Sequence, residues 1–90
     1  LDDGSTDNTC SVLSRYEGKI RWESHTNIGQ AATLNKGWAM ARGELLGYLS
    51  ADDFLYPDAV SRSVAALVAA PDAVVSYCNF DLVDPEGRQT

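Results

Sequence analysis

Two pairs of adjacent aspartates are the residues best suited to chemistry: Asp2-Asp3, within Asp2-Asp3-Gly4-Ser5, and Asp52-Asp53, directly after Ala51. Neighbouring side chains on extended backbone point opposite ways, so such a pair rarely chelates one ion together. One carboxylate can hold a hard cation such as Mg²⁺ or Mn²⁺ while the other serves a different partner. Mg²⁺ commonly takes one or two protein carboxylates and completes its shell on phosphate oxygens. A cation held at Asp52-Asp53 could therefore grip a diphosphate and offset the negative charge that builds as it departs. At Asp2-Asp3 a carboxylate could accept a hydrogen bond from the ring N–H of uracil, thymine or guanine, a donor that adenine and cytosine lack. Gly4 would let backbone approach such a ligand closely. Each pair also has a plain structural reading. Asp2-Asp3 could be an acidic turn before a helix, and Asp53 could cap the turn before Pro57. A calcium loop does not fit: Gly4 comes too early, and Leu13, not Glu, holds the twelfth position from Asp2.

The elements that must position these pairs follow from pattern. Residues 2–8 are polar and turn-rich and read as a loop. A helix is predicted over about 7–16, capped by Asp7 or Asn8, with Val12 and Leu13 facing inward and Gly18 ending it. Ile20 and Trp22 alternate across a short strand at 20–24. After a turn at Asn27-Ile28-Gly29, a second helix spans about 30–41. Ala31, Leu34, Trp38 and Ala41 share one face, and Gly43 is the C-terminal stop. Residues 44–50 carry Leu45, Leu46, Tyr48 and Leu49, a run that suits a strand covered on both faces. Pro57 opens a third helix to about Ala70, striped by Val60, Val64, Leu67 and Val68. A strand at 73–80 with Val74, Val75 and Tyr77 follows, then an Asp84-Pro85-Glu86-Gly87 turn between antiparallel strands. Alternating helices and strands predict an α/β fold with a mainly parallel sheet, in which ligands bind beyond the carboxyl ends of strands. Both acidic pairs fall at such ends.

Composition limits the partners. Ninety residues suffice for one small domain. Thirteen acidic against seven basic residues leave a net charge of −6, which argues against nucleic acid and against anionic membrane surfaces. Cys10 and Cys78 lie far apart, no Cys/His spacing suggests zinc, and free thiols in a reducing compartment are expected. No apolar run is long enough to span a membrane. The chain opens on Leu1 and enters the acidic turn at once, so a natural start further upstream is expected.

The segments "DDGSTDNT" at 2–9, "NIGQAATLNKGWAMARGELLGYLSADDFLYPDAV" at 27–60 and "VVSYCNFDLVDPEGR" at 74–88 together resemble glycosyltransferase family 2. The resemblance covers almost the whole chain. It implies the Rossmann-like GT-A fold of nucleotide-diphospho-sugar transferases, with residues 1–90 as the partial, donor-binding portion. It implies an inverting enzyme that moves a sugar from a nucleoside diphosphate, most often UDP, to the hydroxyl of a glycan, lipid or other acceptor, typically in polysaccharide synthesis. Carried over by motif, Asp3 matches the base-contacting residue, and Asp2 would support the loop or the nucleotide. Asp53 matches the ligand of Mn²⁺ or Mg²⁺, Asp52 the residue near ribose and diphosphate, and Asn35 the family asparagine.

The chain departs from the family at Ala51, where the strict DxD motif has Asp, and at Leu34, where the family has Arg; Lys36 is a weak substitute. The catalytic base is expected beyond Thr90, and Asp81, Asp84 and Glu86 are not assigned to that task. The setting implied is cytoplasmic, with the full-length protein at the cytoplasmic face of a membrane as an extension of that reading. A nucleotide-sugar-binding module without turnover is the competing reading. A nucleotidyltransferase is a third, disfavoured because no Gly- and Lys-rich phosphate loop is present. Among other residues, His25 and Arg42 read as a surface loop residue and a helix C-terminal cation. Trp22, Trp38 and Tyr48 read as core, and Tyr56 as a candidate for the cleft lining. The 90-residue piece by itself is expected to be marginally stable.

Overall fold

A computed structural model describes Leu1 to Thr90, which divide into two units, residues 1–48 and 49–90. The first unit holds α1 (Thr9–Ser14) and α2 (Gln30–Met40), and the second holds α3 (Ala59–Ala69). All three predicted helices form, each shorter than its pattern. α1 starts after Asn8, whose side chain makes no cap bond. Asp7 instead accepts from the Thr9 amide at 2.9 Å and the Thr9 hydroxyl at 2.5 Å. This local turn competes with helix and delays its start.

α2 begins after Gly29, whose φ of 88° favours glycine, and ends where Ala41 turns extended. The end therefore falls before the expected stop at Gly43. Its C-terminal carbonyls attract a cation, and that cation is Arg21, whose Nη2 donates to the Met40 carbonyl. The sequence expectation gave this task to Arg42. α3 begins after Asp58, with Pro57 left in the preceding turn. Arg62 pairs with Asp58 one turn away at 3.6 Å.

The predicted strands do not form. Strand structure is confined to isolated bridges: Asp2 with Ser24 in parallel, Glu17 with Ile20 in parallel, and Val83 with Gln89 antiparallel. An extended segment becomes a strand only when a neighbour takes its N–H and C=O groups, and no segment pairs with residues 44–50 or 73–80. The parallel sheet expected from the pattern is thus represented by one pairing between distant segments, Asp2 with Ser24. There the Asp2 amide donates to the Glu23 carbonyl at 2.9 Å, and the His25 amide donates to the Asp2 carbonyl at 3.1 Å. The expected turn at residues 84–87 is present. Asp84 N–H donates to the Arg88 carbonyl, and the Asp84 carboxylate accepts from the Glu86 amide and from the amide and Nε of Arg88.

No hydrophobic side chain is fully buried. The expected core residues Trp22, Leu13, Leu34 and Leu67 are half-buried. Trp38, Leu45, Leu46, Tyr48, Leu49, Val60 and Val68 are exposed, contrary to their apolar patterning. Without a paired sheet there is no apolar face for the helix stripes to cover. Trp38 keeps one polar tie, donating from Nε1 to the Gly47 carbonyl at 3.3 Å. No helix is long and apolar enough to cross a membrane.

Candidate functional site

The first acidic pair is split between two environments. Asp2 is the one buried polar residue of the chain. Its carboxylate accepts from Ser24 Oγ at 2.6 Å, from the Ser5 amide at 3.3 Å and from Cys10 Sγ at 3.4 Å. These bonds, Ser24 first and Ser5 next, hold its pKa down to about 2. Asp2 therefore ties the acidic loop to α1 and to the segment at 23–25, and its burial closes it to a ligand. Of the two roles open to it from sequence, support of the loop is the one the geometry fits.

Asp3 points the other way, as alternation along extended backbone requires. Its Oδ1 accepts from the Ile28 amide at 2.7 Å and its Oδ2 from the Gly29 amide at 3.0 Å. Both amides lie at the entry to α2, where the helix dipole favours a carboxylate. The Ile28 bond is the main reason its pKa is lowered. The Asn27 side chain closes the same loop, its Nδ2 donating to the Asp3 carbonyl at 2.9 Å. Gly4 is required here. Its φ is +81°, and a Cβ would meet the Asn27 amide nitrogen at 2.7 Å. An ionised carboxylate offers about four acceptor positions, so Asp3, half-buried rather than buried, keeps capacity for a further donor.

Two residues beside Asp3 were not assigned to the site from sequence. His25, expected on a surface loop, is half-buried, with Nδ1 3.5 Å from Asp3 Oδ1. Thr33, on α2, adds to the lowering of the Asp3 pKa, yet its Oγ1 is buried without a full hydrogen bond. The signal for Thr33 was available: it lies four residues after Gly29, one turn into the helix whose entry Asp3 binds. Asn35 is exposed, and about 200° around the helix axis from Thr33, so it does not join this cluster. Lys36 pairs with Glu23, which lowers the Glu23 pKa and occupies the ammonium group considered as a substitute for the missing Arg.

In the second unit the Asp53 amide donates to the Ser50 carbonyl at 3.1 Å and closes a turn through Ala51-Asp52. Asp52 and Asp53 are both exposed. No group of three or more His, Cys, Asp or Glu side chains converges on a common point. The donor set thus does not form a protein cage for a metal. It does fit a cation that brings most of its ligands with the substrate, as Mg²⁺ does on phosphates. Tyr56, three residues after Asp53, donates from its hydroxyl to Asp81 Oδ2 at 2.8 Å, and Gln89 Nε2 donates to Asp81 Oδ1 at 2.8 Å. Asp81 and Asp84 are each engaged in local structure.

An acidic, glycine-permitted loop clamped to the start of a helix is thus followed along the chain by an exposed Asp-Asp turn. The family model for Glycosyl transferase family 2 matches residues 1–89, and the chain belongs to that family. It is 34% identical over 89 residues to a chondroitin synthase of Pasteurella multocida, covering 96% of this chain and 9% of that protein. It is 40% identical over 90 residues to a chondroitin synthase of Escherichia coli, covering 97% and 13%. An uncharacterized glycosyltransferase of Rickettsia typhi is 32% identical over 89 residues, covering 98% and 28%. The chain therefore spans between about a tenth and about a quarter of the length of these relatives. No solved structure matches it.

Proposed function

We propose that this chain is the donor-binding portion of an inverting glycosyltransferase that takes its sugar from a nucleoside diphosphate, UDP first among them. The observation that carries the reading is the pair of roles at Asp2 and Asp3. One carboxylate is consumed in holding the loop, and its neighbour is held by two amides with acceptor capacity to spare for a ring N–H. The family match over residues 1–89 and the chondroitin synthases among the relatives support transfer to a growing glycan. The GT-A sheet belongs to this proposal for the full-length protein, in which further strands would pair with residues 44–50 and 73–80.

In this reading Asp3 recognises the base and Asp2 fixes the loop that carries it. Asp53 is the protein's ligand to Mn²⁺ or Mg²⁺, and Asp52 lies toward ribose and diphosphate. Asn35 belongs to the donor site by its match to the family, without a contact to the Asp3 cluster. The bound cation would supply charge stabilisation to the leaving diphosphate. A carboxylate outside residues 1–90 would take the proton from the acceptor hydroxyl, and the protein would work at the cytoplasmic side of the cell.

The test is a calorimetric titration of UDP, with and without Mn²⁺, into the full-length protein and its Asp53→Ala variant. Binding should require the metal and should fall at least about tenfold on loss of the carboxylate. No binding of UDP, GDP or dTDP would overturn the donor reading. It would leave the fold as a module without donor chemistry, a reading that Ala51 and Leu34 favour.

A further inference from the structure

Packing does little to fix the segment that follows the Asp52-Asp53 turn. From Asp53 the chain runs through Phe54 and Leu55 to Tyr56 outside any helix, and these three large side chains are each at least 50% exposed. With so little apolar burial, the course of the segment depends on polar ties. Its backbone bonds reach only a few residues: the Asp53 amide donates to the Ser50 carbonyl, and the Ala59 amide donates to the Tyr56 carbonyl. One hydrogen bond leads from it to a distant part of the same unit, from the Tyr56 hydroxyl to Asp81 Oδ2 at 2.8 Å. Asp81 is anchored in turn. Its Oδ1 accepts from Gln89 Nε2 at 2.8 Å, and Gln89 is bridged to Val83. The Thr90 amide donates to the Leu82 carbonyl at 3.0 Å, and the Asp84 carboxylate closes the far end of this hairpin on the amides of Glu86 and Arg88. Asp81 is thus bonded on one oxygen to its own hairpin and on the other to the segment after Asp53.

From this arrangement we infer that Asp81 is a positioning residue for the Asp52-Asp53 turn: through the Tyr56 hydroxyl it anchors the segment after Asp53 to the hairpin at 81–90, and so holds the Asp53 carboxylate in place for a cation that arrives with the donor diphosphate. The inference rests on the donor reading above. It assigns Asp81 no contact with metal or substrate, because Asp81 acts at one remove, through Tyr56.

The experiment uses the full-length protein and its Asp81→Ala, Asp81→Asn, Tyr56→Phe and Tyr56→Phe/Asp81→Ala variants. Both residues are exposed, so none of these changes opens a cavity. Two quantities are read: hydrogen exchange of the Asp53 amide without ligand, and UDP affinity with Mn²⁺ and with a chelator. Asp81→Ala should speed exchange at Asp53 and weaken Mn²⁺-dependent UDP binding, each by about three- to tenfold, with metal-free binding unchanged. The double variant should be no worse than Asp81→Ala, because both changes break the same bond. Asp81→Asn should keep most of the wild-type behaviour. Its amide oxygen can accept from Tyr56 while its amide N–H donates to a turned Gln89 side chain.

Unchanged exchange at Asp53 in Asp81→Ala would overturn the inference whatever the nucleotide does. Equal losses of UDP affinity with and without Mn²⁺ would make Asp81 merely structural and overturn it too. So would additive losses in the double variant, or an Asp81→Asn protein as impaired as Asp81→Ala. If the wild type binds no UDP with Mn²⁺, the donor reading falls and takes the metal role of the turn with it. If Asp53→Ala abolishes metal-dependent binding while every Asp81 variant binds as the wild type does, the donor reading survives and the inference alone falls.

Discussion

Asp2 and Asp3 are chemically identical neighbours with opposite tasks, and the division follows from backbone alternation. The buried one gathers Ser24, Ser5 and Cys10, and the half-buried one faces the entry to α2. The depressed pKa of Asp2 has a signed consequence. Its ordinary value is 3.8 and its folded value about 2, so it contributes stability above the ordinary value. That contribution is lost as pH falls through about 4 to 2. Ser24→Ala removes the largest cause, so the Asp2 carboxyl should titrate at higher pH and acid unfolding should begin earlier. Carboxyl NMR titration and melting curves between pH 2 and 6 would check this. Gly4→Ala is expected to be costlier. The left-handed backbone alone costs roughly 1–2 kcal/mol for a side-chain-bearing residue, before the clash with the Asn27 amide. A denaturant titration of the full-length protein should show a loss of at least that size.

Each helix presents its ends, more than its faces, to the parts that matter. α2 receives Asp3 at its entry and the Arg21 guanidinium on its last carbonyl, so both poles of its dipole are met by opposite charge. The acidic turn in the second unit has a different support. Tyr56 joins it to Asp81, and the Asp81 carboxylate raises the Tyr56 pKa by favouring the protonated phenol. Tyr56→Phe removes that bond and should loosen the segment after Asp53. Metal-dependent UDP affinity is expected to weaken by about three- to tenfold, the scale of one modest hydrogen bond, with UDP binding in the absence of metal unchanged. The titrations that test Asp53 would measure it. Equal metal dependence in wild type and variant would show that the Asp53 turn does not need this tie.

At the scale of the chain, apolar residues without a core have a predictable behaviour. Val74, Tyr77 and Phe80 are each at least 80% exposed, and no hydrophobic side chain is buried anywhere. Hydrophobic burial is the dominant favourable term in folding, so a chain that forgoes it lacks the main offset to conformational entropy. The isolated 90-residue chain should melt broadly, bind a hydrophobic dye and tend to aggregate. Differential scanning calorimetry with dye-binding fluorescence would check this; a sharp, reversible transition of a soluble monomer would contradict it.

The sequence by itself determined what rests on local chemistry and short range. The three helices follow from spacing of apolar residues and from Gly29 and Pro57; the Asp84–Gly87 turn follows from turn residues; the family follows from motifs in order. Helix ends were misjudged by a few residues because Asp7 bonded to Thr9 and Ala41 turned extended, choices between nearly equal local alternatives. The apolar runs at 44–50 and 73–80 were read as strands from their side chains alone. Whether they become strands depends on partners that supply ladder hydrogen bonds, which is a tertiary question. Only the tertiary structure decided which aspartate of the first pair is spent and which is available. It also decided that His25 and Thr33, far from Asp3 in sequence, flank its carboxylate while Asn35 does not. Residue type and spacing show which groups can donate or accept. Which of them meet is set by where the chain returns on itself, and here that return is the parallel pairing of Asp2 with Ser24.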